Sequence, residues 1–155
     1  MGCREIIVCD DVKCIYSEDA GGYEGEIDWM DGLRIRVFLA CDPDEAGEPV
    51  VMKYFFEQIY RDREMWTKKA QTFACDRFLP FYLNKAGYIA KAVLKKSVLK
   101  ALLIPEALEL QDDGVMHISF RCFSLGAKMH FLDVAGTVAT GFTLLQDNGE
   151  DIPEM

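Results

Sequence analysis

Strict period-2 alternation marks the first third of the chain. Tyr23, Gly25, Ile27 and Trp29 fall on one side, and Glu24, Glu26 and Asp28 on the other. After Met30-Asp31-Gly32 the pattern resumes, with Leu33, Ile35, Val37 and Leu39 set against Arg34, Arg36 and Phe38. Alternation of this length predicts two half-buried strands joined as a hairpin. A two-residue Asp31-Gly32 loop would put Trp29 opposite Arg34 and mix the faces. A three-residue loop ending in Gly32 instead pairs Trp29 with Leu33, Ile27 with Ile35, Asp28 with Arg34 and Glu26 with Arg36. That register keeps one face apolar and the other charge-matched, and a one-residue slip would turn the apolar set to water. Upstream, Ile6 to Val8 and Val12 to Tyr16 read as short strands before the turn signal Gly21-Gly22.

The polar run Asp42-Pro43-Asp44-Glu45 and Gly47-Glu48-Pro49 ends this region, and the period then becomes helical. Val51, Phe55 and Ile59 recur at helical spacing, with Met52 and Phe56 widening the stripe. A second helical stretch carries Trp66, Ala70, Phe73, Ala74 and Phe78, from about Asp62 to just before Pro80. Arg61-Asp62-Arg63 offers a break, so one bent helix and two helices both fit. Phe81 to Gly87 reads as a connector, and Tyr88 to Leu103 as a helix ended by Pro105.

Strand character returns at Ala107 to Leu110, followed by the turn Asp112-Asp113-Gly114. Val115 to Phe123 alternates, and Lys128 to Ala135 answers it after Ser124-Leu125-Gly126. A three-residue loop there sets Met116, Ile118 and Phe120 opposite Val134, Leu132 and His130, with His117 opposite Asp133 on the other face. Phe142 to Leu145 fits a last strand. The fold class expected is α+β: an antiparallel sheet built from an N-terminal and a C-terminal β-hairpin, packed against a central block of two to three helices. Residues 1–146 would form one domain, with 147–155 a polar, frayed tail.

Composition supports a packed core, since half of the 155 residues are hydrophobic and ten are Phe. The net charge of −9 argues against general nucleic-acid binding, which needs a Lys/Arg face, and suits a basic protein partner. The densest basic group, Lys91, Lys95, Lys96 and Lys100, has the spacing of one solvated helix face. The start of the chain has no apolar signal-peptide core, and Ile6 stands where a myristoylation pattern wants Ser or Thr. Val134 to Gln146 is too short to span a bilayer, so a cytoplasmic protein without membrane contact is expected. The six cysteines show no C-x-x-C pair and read as thiols in a reducing compartment.

Candidate chemistry is thin. Any nucleophilic site must use one of the two histidines, His117 or His130. Cys122 lies in the same hairpin as both, and Asp133 could orient His117. In the expected register the two imidazoles point to opposite faces and cannot share a metal. His130 reads as a hydrogen-bonded core residue and His117–Asp133 as a cross-strand contact. His117, Asp133, His130 and Cys122 are therefore the only catalytic candidates, and no cofactor or metal is expected. Asp10, Asp11, Glu18 and Asp19, and the group Asp42, Asp44 and Glu45, lack the spacing of a calcium loop. Trp29 and Trp66 read as packing residues.

The order of motifs resembles a known family. Tyr23-Glu24-Gly25-Glu26-Ile27-Asp28-Trp29 precedes a glycine turn; Trp66 and Phe73-Ala74 follow on helices; Asp113-Gly114, His130 and Val134-Ala135-Gly136 come last. This resembles the mainly bacterial proteins grouped as domain of unknown function 2262, over roughly Gly22 to Leu145. Where that family commonly has Gly-His, this chain has Met129-His130. The resemblance implies one α+β domain in a bacterial cell and no particular activity. Taken with the acidity, the sequence points to a non-enzymatic cytoplasmic interaction domain of immunity or accessory type. It would take a basic protein, or a second copy, on an acidic or sheet-edge surface. The alternative is a small-molecule-binding protein or weak hydrolase with a pocket near His130, Trp29 and Cys122.

Overall fold

The computed structural model describes residues 4–43, 49–86, 95–125 and 128–153. Several sequence expectations fall outside that set: Cys3, Asp44, Glu45, Lys91, the helical reading of residues 88–94, and Gly126 of the second loop.

The α+β class holds. The strands are β1 (Glu5–Val8), β2 (Val12–Ser17), β3 (Gly22–Met30) and β4 (Leu33–Ala40), then β5 (Leu103–Gln111), β6 (Met116–Leu125), β7 (Lys128–Thr137), β8 (Gly141–Asp147) and β9 (Glu150–Asp151). Among the described residues they form one nine-stranded sheet in sequence order. Two hairpins therefore understate the strand content: a four-stranded meander and a five-stranded one are fused edge to edge. The fusion is the parallel pair β4–β5, with Arg36 opposite Ala107 and Ala40 opposite Gln111. A parallel neighbour requires a crossover connection. The helices α1 (Val50–Arg61), α2 (Arg63–Ala86) and α3 (Lys96–Leu102) lie in that crossover.

At the β3–β4 turn the expected pairs Ile27–Ile35, Asp28–Arg34 and Glu26–Arg36 form, but Leu33 faces Met30 rather than Trp29. The loop is the two-residue Asp31-Gly32, with φ of 51° and 76°. Paired positive φ values match the twist of the flanking strands. A bulge between Asp28 and Met30 absorbs the odd residue. Trp29 thus stays on the buried face beside Ile27 without a third loop residue.

The β6–β7 ribbon is displaced by two residues from the expected register. Ile118 faces Val134, Phe120 faces Leu132, Cys122 faces His130 and His117 faces Ala135. Ser124 and Leu125 belong to β6 rather than to a loop. A slip of two keeps every side chain on its face.

The helices depart from the pattern in three places. Met52, Phe56 and Ile59 are the buried stripe of α1, whereas Val51 is 84% exposed. α2 begins after a break at Asp62 but continues through Pro80 to Ala86, with Pro80 on the solvent side. The α3 helix starts only after an extended Lys95 and gives way at Leu103 to strand, so Pro105 sits in β5 and does not end the helix. Proline is tolerated there because Pro105 pairs with β6 while the β4 partners begin at Ala107.

The core lies between one face of the sheet and the helices. Ile27, Trp29, Ile35, Val37 and Leu39 meet Phe56, Ile59, Trp66 and Phe78, all essentially buried. The buried Trp29 indole N–H donates to Thr67 Oγ1 at 2.8 Å, which ties β3 to α2. Arg63 on α2 also donates to the Trp29 carbonyl.

The segment from Asp147 is not a frayed tail. Asn148 and Gly149 make another turn of positive φ, 51° and 85°, and β9 folds back on β8. Ile152 is 4% exposed, and its N–H donates to the Leu145 carbonyl at 2.9 Å.

Candidate functional site

Side chains that alternate away from the helices make the open face of the sheet. Strand twist and coiling turn its middle into a trough of about 880 Å3, reaching from Lys13 and Ile15 on β2 to Asp133 on β7. Glu24 and Glu26 of β3, Arg36 of β4 and Glu109 of β5 lie between.

One end of the trough is a run of hydrogen bonds centred on Asp133. Its Oδ2 lies 2.9 Å from His117 Nδ1, and its Oδ1 accepts from the Ser119 hydroxyl at 3.2 Å. Gln111 Nε2 lies 3.3 Å from His117 Nε2 and donates to Glu109 Oε2 at 3.2 Å. With its Nδ1–H given to the carboxylate, the neutral ring accepts the Gln111 amide at Nε2. The hydrogen bond to Asp133 raises the His117 pKa above its ordinary 6.5. Partial burial opposes the rise, and the charges of Asp133, Glu109 and Asp113 add to it.

An imidazole held by a carboxylate is half of a nucleophilic site. The other half is not assembled here. Ser119 gives its hydroxyl to the carboxylate and not to the imidazole, so His117 is not placed as its base. The pair His117–Asp133 forms diagonally, since Asp133 stands directly opposite Ser119.

His130 and Cys122 lie on the helix side. His130 is 7% exposed, and its ring meets Phe78 and Tyr82 edge-on, with centroids 5.2 and 5.9 Å away. Its Nδ1 lies 2.9 Å from an Asp147 carboxylate oxygen. Cys122 is fully buried, and burial first of all pushes its thiol up to about 11, which withholds the nucleophilic thiolate. Trp29 is engaged elsewhere, with Thr67. The positions expected to line a pocket near His130 are packed core.

Buried thiols recur: Cys14 and Cys75 are also raised to about 11, chiefly by burial. Among the described residues no group of His, Cys, Asp and Glu could hold a metal ion. Among the same residues no helix is long and apolar enough to cross a membrane.

The sequence alone does not pair Glu109 and Gln111 with His117, or Ser119 with Asp133. A signal for Glu109 existed. The turn Asp112-Asp113-Gly114 closes a β5–β6 hairpin, which puts Glu109 opposite His117. Asp147 carries no such signal, because it opens a run that reads as an acidic tail.

No family model matches the chain, and no curated protein or solved structure matches it either.

Proposed function

We propose that this protein is a non-enzymatic interaction domain, of immunity or accessory type, that takes a basic protein partner on the open face of its sheet. The observation that carries this reading is the charge balance of the trough. Glu24, Glu26, Glu109 and Asp133 stand against Lys13 and Arg36. Both cations already have acidic neighbours: Lys13 lies 3.7 Å from Glu5, and Arg36 lies 3.6 Å from Glu106. Glu26 and Asp133 are paired too, with Arg34 at 3.8 Å and His117 at 2.9 Å. The negative surplus therefore rests on Glu24 and Glu109, and a cationic partner would be steered to them. Exposed Ile15 and Phe131 offer apolar contact beside the charges. The five described cysteines are thiols, which suits a cytoplasmic setting. Kinship with domain of unknown function 2262, and the bacterial setting it brings, belongs to the same proposal and rests on the motifs from Tyr23 to Gly136.

The test is a titration with a labelled Arg-rich peptide, followed by fluorescence anisotropy. Affinity should fall at least tenfold between about 20 and about 150 mM salt, as the Debye length shrinks. It should also fall in Glu24→Lys/Glu109→Lys. Binding that ignores both salt and the double variant refutes the reading.

A second reading, a small-molecule site or weak hydrolase, draws support from the concave, polar surroundings of His117 rather than from His130. It requires His117→Ala to abolish ligand binding while peptide binding persists.

A further inference from the structure

Charge in this molecule is segregated by layer. Between Pro49 and Leu102, the stretch that contains α1 to α3, the sequence holds eleven Lys or Arg and four Asp or Glu. The nine strands of the sheet hold five and ten. Large apolar side chains left in solvent divide the same way. Val50, Val51, Tyr54, Met65 and Val98 are exposed on the helices, and Ile7, Ile15, Phe131 and Leu144 on the open sheet face. Each surface therefore combines apolar anchors with a charge surplus of opposite sign to the other.

We infer that a second copy of this chain occupies the open face, docking through its helical layer. The inference rests on the reading of that face as a docking surface and names as its occupant the basic helical layer of a chain whose net charge is −9, in place of a partner that is basic throughout. Helices cover one side of a single sheet and the trough lies on the other, so the two surfaces point away from each other. One copy cannot satisfy its own pair. Docking is head to tail, and each complex leaves one basic and one acidic surface free, so the contact repeats into a ring or an open chain. Lys68 and Lys69 on α2 stand exposed on the basic side, and Glu24 and Glu109 line the acidic one. The attraction is between solvated charges, so salt screens it.

The experiment is sedimentation velocity on the intact chain at high micromolar concentration, from about 20 to about 500 mM salt. The wild type should sediment as oligomers at the low end and as a monomer at the high end. Lys68→Glu/Lys69→Glu alone and Glu24→Lys/Glu109→Lys alone should each stay monomeric throughout. An equimolar mixture of the two should associate again, because each supplies the surface the other lacks. A wild type that is monomeric at low salt overturns the inference, as does assembly that survives in either double variant. The wild-type salt series stands even if a variant fails to fold. Should the wild type stay monomeric while the Arg-rich peptide still binds and loses affinity in Glu24→Lys/Glu109→Lys, self-pairing fails and the docking surface stands. If the peptide does not bind either, both fall.

Discussion

Deleting Asp147 to Met155 should be severely destabilising, although the sequence reads as a dispensable acidic tail. The structure gives the cost in parts. Asp147 is the acceptor for His130 Nδ1, and its side chain is 12% exposed against 8% for the imidazole. Removing the carboxylate leaves a buried N–H without an acceptor, which costs about 1–3 kcal/mol. Ile152 is 4% exposed and packs in the main core. Losing a buried aliphatic side chain of that size costs about 2–5 kcal/mol. Asn148 bridges to β7 through the Phe131 N–H, which its Oδ1 accepts at 3.0 Å, and through its own N–H to the Phe131 carbonyl at 2.9 Å. Truncation should therefore cost on the order of 5 kcal/mol, a large share of the 5–15 kcal/mol that holds a typical domain folded. Urea titration followed by the fluorescence of buried Trp29 and Trp66 reads this as a lowered midpoint. Asp147→Ala and Ile152→Ala should each show their part, and Asp147→Asn, which keeps an oxygen for the imidazole N–H, should cost less than Asp147→Ala. A truncated chain within about 0.5 kcal/mol of the intact one refutes the argument, because a change of that size is what an ordinary surface substitution gives.

Three other outcomes are expected. Thr67→Val should destabilise by about 1–3 kcal/mol in the same titration, because the buried indole N–H of Trp29 loses its acceptor while the shape is nearly kept. Gly136→Ala should cost at least about 2 kcal/mol, since a Cβ there would meet the Gly141 carbonyl oxygen at 2.1 Å and the Phe142 Cα at 2.6 Å, both backbone atoms; calorimetry would show a lower Tm or no folded transition. The elevated His117 pKa makes its pair with Asp133 a stabilising contact that is fully present below the unfolded value near 6.5 and is lost as pH rises through the folded pKa. Asp133→Asn should flatten that decline and bring the imidazole titration, followed by NMR, back toward 6.5; an unmoved titration would show that the carboxylate is not the cause.

Much of the local architecture was legible in the chain. Alternation from Tyr23 to Leu39 gave the strands and the buried face, and helical spacing gave α1 and Ile59, while the burial of Met52 and Phe56 in place of Val51 was decided by packing. The details that went astray share one cause: local pattern fixes faces more strongly than pairings. Met30 instead of Trp29 opposite Leu33 changes only the turn, where a bulge absorbs the odd residue, and the two-residue displacement of β6 on β7 leaves every side chain on its expected side. Period 2 cannot tell such registers apart, because they bury the same residues. Pro80 inside α2 and Pro105 inside β5 read locally as boundaries. Tertiary packing tolerates both, the first at an exposed helix position and the second where β5 has a partner on one side only.

The candidate site was legible in half. His117 and Asp133 were placed on one face, because a shift of two residues preserves it. Glu109 and Gln111 required knowing that β5 and β6 pair. The trough required β4 and β5 to join in parallel, a contact between strands about seventy residues apart in the sequence. By itself the sequence determined which residues seek the core and which seek water, since transfer free energy belongs to each side chain. Only the tertiary structure decided what lies across from what: Asp147 on His130, Ile152 in the core, an acidic trough on one side of the sheet and a basic helical layer on the other. Those contacts join segments far apart along the chain, and no local period encodes them.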